Sequence, residues 1–195
     1  MTKKVIYLAV LAVVAALVLW VISGYNAMVV AEENVESAWS HVENEYQRRA
    51  DAVPQLVSTV GAYAKHESAT LQGVMDARAK ATQITIDPAN ATPDQLAAFQ
   101  NAQGELSQAL GRLMAVSEAY PELKADKGFL TLQSQIEGNE NRCTVARDLY
   151  NEQAREFNQM VRMFPRNIIA GMLGFSKKPY FEADKAAHKA PVVEF

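Results

Sequence analysis

The segment Val5 to Ile22, VIYLAVLAVVAALVLWVI, constrains this chain more than any other: it has no charged residue and no proline. As a helix, these eighteen residues span about 27 Å, enough to cross a bilayer core with little tilt. Tyr7 and Trp20 stand near its ends, where amphipathic rings favour the headgroup region. Lys3 and Lys4 precede it and Glu32, Glu33 and Glu36 follow, so the basic end is expected to stay cytoplasmic and the rest to face outward. A cleaved signal peptide would carry a shorter apolar region ending in an A-x-A-like site. The run is longer than that and no such pair follows, although Ser23 and Gly24 are small enough for a processing site. No lipobox cysteine accompanies it, so an uncleaved anchor is the expectation.

Beyond residue 24 the chain holds 17 basic and 22 acidic residues, a mildly acidic exterior without a polybasic tract for anionic lipid. The net charge of −3 for the whole chain lacks the basic footprint of a nucleic-acid binder. Proline and glycine are sparse, and the apolar residues recur in a three-four alternation that marks helix faces. The first face runs Met28, Val35, Trp39, Val42, Tyr46, Val53, Val57, Val60, Ala64, Leu71, Val74. The second runs Leu96, Phe99, Gln103, Leu106, Leu110, Leu113, Ser117, Tyr120. The third runs Phe129, Leu132, Ile136, Asn139, Cys143, Ala146, Tyr150, Gln153, Phe157, Met160, Phe164, and Pro165 stops it.

Pro54 falls inside the first face. It lacks an amide hydrogen, clashes with the carbonyl of Ala50 and biases Val53 away from helical dihedrals. The apolar spacing keeps its phase across it, and no Gly, Asn or Ser cluster offers a hairpin loop there. A kinked continuous helix is the favoured reading, with a stop as the alternative. The first unambiguous break is TIDPANATPD, Thr85 to Asp94, after which Thr92 suits an N-cap, Pro93 the first helical position and Gln95 the reciprocal capping partner. The expected fold is all-α: one transmembrane helix, then an elongated antiparallel bundle of three long helical segments, four if Pro54 breaks the first. Residues 1–24 form the cytoplasmic tip and anchor, 25–165 the exterior helices and 166–195 a tail.

Catalytic signatures are missing. His41, His66 and His188 match no metal-ligand spacing, and no phosphate-cradling glycine loop or nucleophile elbow occurs. Cys143 lies on an apolar face and reads as a small buried residue; the seam aromatics read as core. Three charges stand on or beside the first seam: Arg49, Glu67 and Arg78. Polar groups in a helical seam usually fix register or partner choice, which is the role expected here. No cofactor, metal or small-molecule substrate is expected, and no enzymatic activity.

A set of short stretches in order carries a family resemblance: VESAW (35–39), QRRADAVPQLV (47–57), AYAKHE (62–67), MDARAKA (75–81), ELSQALGRLMAVSEAYPELKAD, NRCTVARDLYNEQAREFN, FPRNIIAGMLGF and YFEA. Together these resemble the LemA family, from YNAMV at Tyr25 to the terminal PVVEF. The resemblance implies a bacterial protein with an N-terminal membrane segment and an exterior domain of long helices. It supplies no catalytic residues. Departures are small: Ala52, Val53 and Gln55 surround the proline where the family more often has Leu-Ile and Asn, and Gly61-Ala62 replaces Lys-Gly.

After Pro165, the residues Ile168, Ile169, Met172, Leu173 and Phe175 make an apolar patch too short to span a bilayer. It has three possible fates: packing on its own helices, lying at the membrane interface or joining a neighbouring subunit. PVVEF could dock as an extended strand. The functional expectation is a self-associating structural protein of the bacterial cytoplasmic (inner) membrane, single-pass with its N-terminus in the cytoplasm. Its expected partners are the lipid bilayer, further copies of itself and another membrane or envelope protein, and the alternative is a helical adaptor that binds a membrane enzyme, protease or envelope polymer.

Overall fold

A computed structural model describes residues 3–182; PVVEF and His188 lie outside the described residues. The described chain is all-helical: α1 (Lys3–Tyr63), α2 (Ser68–Gln83), α3 (Pro93–Ser117), α4 (Pro121–Lys124), α5 (Lys127–Arg162) and α6 (Arg166–Leu173). No strand occurs among those residues.

α1 is one helix of 61 residues, and its first part is long and apolar enough to cross a membrane. Val5, Tyr7, Trp20 and Ile22 are all exposed. Burial begins at Gly24 and recurs at Met28, Ala31, Val35, Ala38, Trp39 and Val42. α1 thus changes from a helix apolar all round, the pattern of a membrane span, to one with a single buried face, the pattern of a helix packed on a protein core.

α1 continues through Pro54, which faces solvent, and ends only at Tyr63. The first break therefore comes at Ala64–Glu67, before the Thr85–Asp94 break expected from composition. The chain reverses there, so the face read as running on to Val74 belongs to two helices. Their three-four phases match because both helices face the same core: Val60 and Ala64 from one, Val74 and Ala81 from the other. Leu71 packs against α1 beside Gly61 after the reversal. On α1 the first fully buried residue after Pro54 is Leu56, followed by Val60, and Val57 is only half-buried.

α3 starts as expected. Thr92 Oγ1 accepts from the Gln95 amide at 3.2 Å and Gln95 Oε1 accepts from the Thr92 amide at 3.0 Å, with Pro93 in the first turn. Such a box satisfies two otherwise unpaired amides. α5 is capped by Asp126, whose Oδ1 accepts from the Phe129 amide at 2.8 Å. Tyr63 at the far end of α1 donates to the same carboxylate at 3.1 Å. With Trp39 against Tyr150 and Arg49 against Glu140, this sets α5 running back along α1.

The buried residues form three successive layers along α1. Met28, Ile169 and Ala170 lie nearest the apolar span. An aromatic layer follows, with Trp39, Tyr46, Phe99, Tyr150, Phe157 and Phe181. The distal layer is aliphatic, joining Val53, Leu56 and Val60 to Leu106, Leu110 and Leu113 and to Phe129, Leu132 and Ile136. On α5 the buried face follows the expected positions from Phe129 to Tyr150, then takes Ala154 in place of Gln153. Phe164, expected on that face, is 80 % exposed, because α5 ends at Arg162 and the chain turns before it.

Candidate functional site

One group of interior polar residues gathers at the level where α1, α3 and α5 meet, around Arg49 and Gln103. Arg49 is fully buried on α1. Its Nη1 donates to Glu140 Oε2 at 2.5 Å and Ser107 Oγ at 2.7 Å, and its Nη2 donates to Gln103 Oε1 at 2.7 Å and the Gln103 carbonyl at 3.1 Å. The guanidinium carbon also lies 4.9 Å from the centre of the Tyr46 ring. A fixed fork of donors suits this task, because one side chain reaches three residues on two helices. Nε has no partner. Gln103 passes the network on: its Nε2 donates to the Ala81 carbonyl at the end of α2, at 3.2 Å.

Arg78 and Pro54 meet through a third residue. Proline has no N–H to offer the carbonyl four residues back, so Ala50 O is left without its helical donor. Arg78 Nε, from α2, donates to that carbonyl at 2.7 Å. A weak ion pair with Asp51 at 3.9 Å accompanies it. The side chain of α2 thus fills the vacancy that the proline makes in α1. Both residues are conspicuous in the sequence, and only the fold reveals that they are partners. Glu67 lies apart from this level. It precedes α2, half-buried, with the Tyr120 hydroxyl at 3.5 Å, the outer limit of a hydrogen bond.

Beside Arg49 a half-open cleft of about 830 Å³ is lined by Tyr46, Gln103, Ser107, Glu140, Arg147 and Phe181, among others. Burial pushes the Tyr46 hydroxyl up to about 12 and the Cys143 thiol up to about 11, with nearby arginines opposing. Tyr46 on the cleft wall therefore stays a neutral phenol near neutral pH, and Cys143 is buried outside the residues that line the cleft. His41 and His66 are exposed and stand away from it. Among the described residues no group of three or more His, Cys, Asp or Glu could hold a metal ion.

The wall formed by Phe181 comes from the segment after α6, which periodicity cannot reveal. Asn158 on α5 pairs with the backbone of Lys178, donating to its carbonyl and accepting from its amide, both at 2.8 Å. Seven residues earlier, Asn151 pairs in the same way with Phe181 at 3.1 and 2.9 Å. On α3, Gln100 donates to the Glu182 carbonyl at 2.7 Å. Side-chain amides thereby substitute for a neighbouring strand. Lys178 completes the attachment, its ammonium buried against Glu32 Oε1 and the Ala89 carbonyl at 2.7 Å each. Phe181 then stacks on Trp39, with ring centres 5.9 Å apart and planes at 11°. Paired amides seven apart are a signal that could be sought, but on a helix surface they look like ordinary solvated residues.

The apolar tail residues divide. Ile169 is buried and Phe175 half-buried, packing near Met28, while Ile168, Met172 and Leu173 are exposed. Tyr25 and Phe175 rings are 5.9 Å apart. α6 therefore sits beside the first turns of α1 beyond the apolar span.

Comparison with known proteins fits this architecture. The chain is 26% identical over 197 residues to magnetosome protein MamQ 2 of Paramagnetospirillum magneticum, covering 92% of this chain and 72% of the relative. It is 25% identical to magnetosome protein MamQ of Magnetospirillum gryphiswaldense over 186 residues, covering 87% and 68%. Protein LemA of Metamycoplasma hominis is 24% identical over 160 residues, covering 82% and 69%. The family model described as LemA family matches residues 38–195, a stretch that holds the Arg49 network, the Pro54–Arg78 pairing and the clamped segment after α6. This chain belongs to the LemA family.

Proposed function

We propose that this chain is a membrane-anchored, non-enzymatic structural protein of the bacterial envelope that self-associates through its exterior helices and organises the membrane around it. The single observation behind this reading is the continuity of α1, which carries an exposed apolar span and a packed exterior face on one unbroken helix. An anchor of this kind confines copies to a plane and raises their effective concentration, so that weak contacts suffice for assembly. Val145 and Leu149, one turn apart on α5 and both exposed, offer an apolar strip for such a contact. Arg49, with partners on α3 and α5, supports a register role within an elongated bundle. Lys3 ahead of the span and the acidic residues beyond it favour a cytoplasmic N-terminus and an exterior domain. That two relatives are magnetosome proteins by name supports a membrane setting.

Mass measurement of the full chain in mild detergent tests this. Discrete oligomers that dissociate when Val145 is replaced by Glu are expected; a strict monomer in both detergent and nanodiscs would refute self-association. The cleft beside Arg49 favours an adaptor reading as the second choice, since it is large, half-open and polar. A photo-crosslinker at Gln108 on its rim should then capture one dominant envelope protein in cells.

A further inference from the structure

We infer that α6 and the turn before it form a second membrane contact, a wedge lying in the interface of the bilayer beside the point where α1 leaves it. One side of α6 is committed to the protein: Ile169 and Ala170 are buried, and Ile169 Cδ1 lies 3.4 Å from where a Cβ on Gly24 would be. That is a van der Waals distance, so the short helix lies directly against α1 at Gly24. The contact spans Gly24 to Met28, which is about 3–9 Å along α1 from Ile22 at the standard helical rise. α6 is therefore held at the depth where hydrocarbon gives way to headgroups.

The other side of α6 carries Ile168 and Met172, four apart and 55 % and 80 % exposed, with Leu173 beside them and Met163 and Phe164 exposed on the turn before the helix. Helical residues four apart share a face. These five exposed side chains belong to the segment packed beside Gly24 to Met28, just beyond the apolar span, where the medium that covers Val21 and Ile22 would reach them. The charges agree. From Arg162 to Lys177 the chain has Arg162, Arg166 and Lys177 and no acid, within an exterior that is otherwise net acidic. Basic residues flanking an apolar face are what an interfacial helix presents to anionic headgroups. The occupant is thus the lipid bilayer itself. A second copy could cover the patch only at the same depth, displacing lipid from it.

The inference rests on Val5–Ile22 being a membrane span, so the test probes both separately. The full chain is reconstituted in vesicles of phosphatidylcholine with a minority of phosphatidylglycerol, and a thiol-reactive fluorophore is placed by Val13→Cys, Met172→Cys or Ser134→Cys. All three positions are exposed, so labelling leaves the packing intact, and buried Cys143 stays unlabelled. Lipids brominated at different chain depths then act as quenchers. The expected result is strong quenching at the Val13 site by deep bromines and at least about half as much at the Met172 site by shallow ones, matching a burial of roughly 5–10 Å. The Ser134 site, on the distal part of α5, should stay unquenched. Quenching at Val13 with a Met172 site that behaves like Ser134 overturns the wedge and leaves the anchor standing. No quenching at Val13 overturns the anchor and the wedge with it. Energy transfer between Met172 labels without lipid quenching assigns the patch to a second copy and also overturns the wedge.

Discussion

The Pro54–Arg78 pairing makes a quantitative claim about why α1 tolerates a proline at its middle. Ala50 is buried, so its carbonyl has no ready access to water. Replacing Arg78 with Met keeps the aliphatic stem and removes the donor that sits 2.7 Å from that carbonyl. A hydrogen bond from a charged donor contributes about 1.5–3 kcal/mol. The Asp51 pair at 3.9 Å adds little, being largely in water. For a chain of this size, each kcal/mol corresponds to about 2–4 °C in melting temperature, so Arg78→Met should lower it by roughly 3–12 °C. The second perturbation is Pro54→Ala, which restores the missing amide and with it the helical bond to Ala50. In that background the carbonyl is already satisfied, and Arg78→Met should cost about 1 kcal/mol less or better. Thermal melts of the four proteins in one detergent, followed by circular dichroism, close the cycle. Equal costs in the two backgrounds, within about 0.5 kcal/mol, would refute the account.

Glu140→Ala should cost about 2 kcal/mol, because it leaves the buried Arg49 guanidinium without its counter-charge; it falls short of a fully buried pair since the Glu140 side chain is 48% exposed. Adding Arg49→Met should recover part of that loss in denaturant titration. Phe181→Ala should cost about 3 kcal/mol or more by emptying the slot against Trp39, and limited proteolysis should then cut within residues 176–182. Burial raises Cys143 from 9.0 to about 11 and Tyr46 and Tyr150 from 10.0 to about 12. The folded state therefore binds these protons more tightly than the unfolded one, so their contribution is complete below pH 9 and is lost as pH rises through 9 to 12. Melting temperature followed against pH should be insensitive to these groups at neutrality and drop across that alkaline range.

Much of the helical architecture is legible in the residues alone, because a three-four apolar alternation reports directly which side of a helix meets the core. The Thr92 box and the Arg49 position in the first seam were visible for the same local reason. The reversal at Ala64–Glu67 was not, since no proline, asparagine or glycine occupies those four positions. What ends α1 there is the opportunity for Val74 and Ala81 to fold back on the same core, a tertiary term with no local mark. The phase of the apolar face survives the turn and disguises it. The partnership of Arg78 with Ala50 is hidden for another reason: a lone arginine carries no sign of which carbonyl it will meet. Asn151, Asn158 and Gln100 likewise resemble solvated surface residues until the segment they hold is in place.

The unbroken course of α1 makes it a lever. From Tyr25 to Tyr63 it rises about 57 Å beyond the apolar segment, at 1.5 Å per residue, with Pro54 the interior position that lacks its helical hydrogen bond. A tilt of about 20°, ordinary for a spanning helix, would carry the distal end sideways by roughly 20 Å. Rotating the apolar segment about its own axis would turn the packed face beyond it as well, and with it the direction in which Val145 and Leu149 point. Because tilt answers to bilayer thickness, a change of a few ångströms in the membrane is amplified into lateral motion at Tyr63.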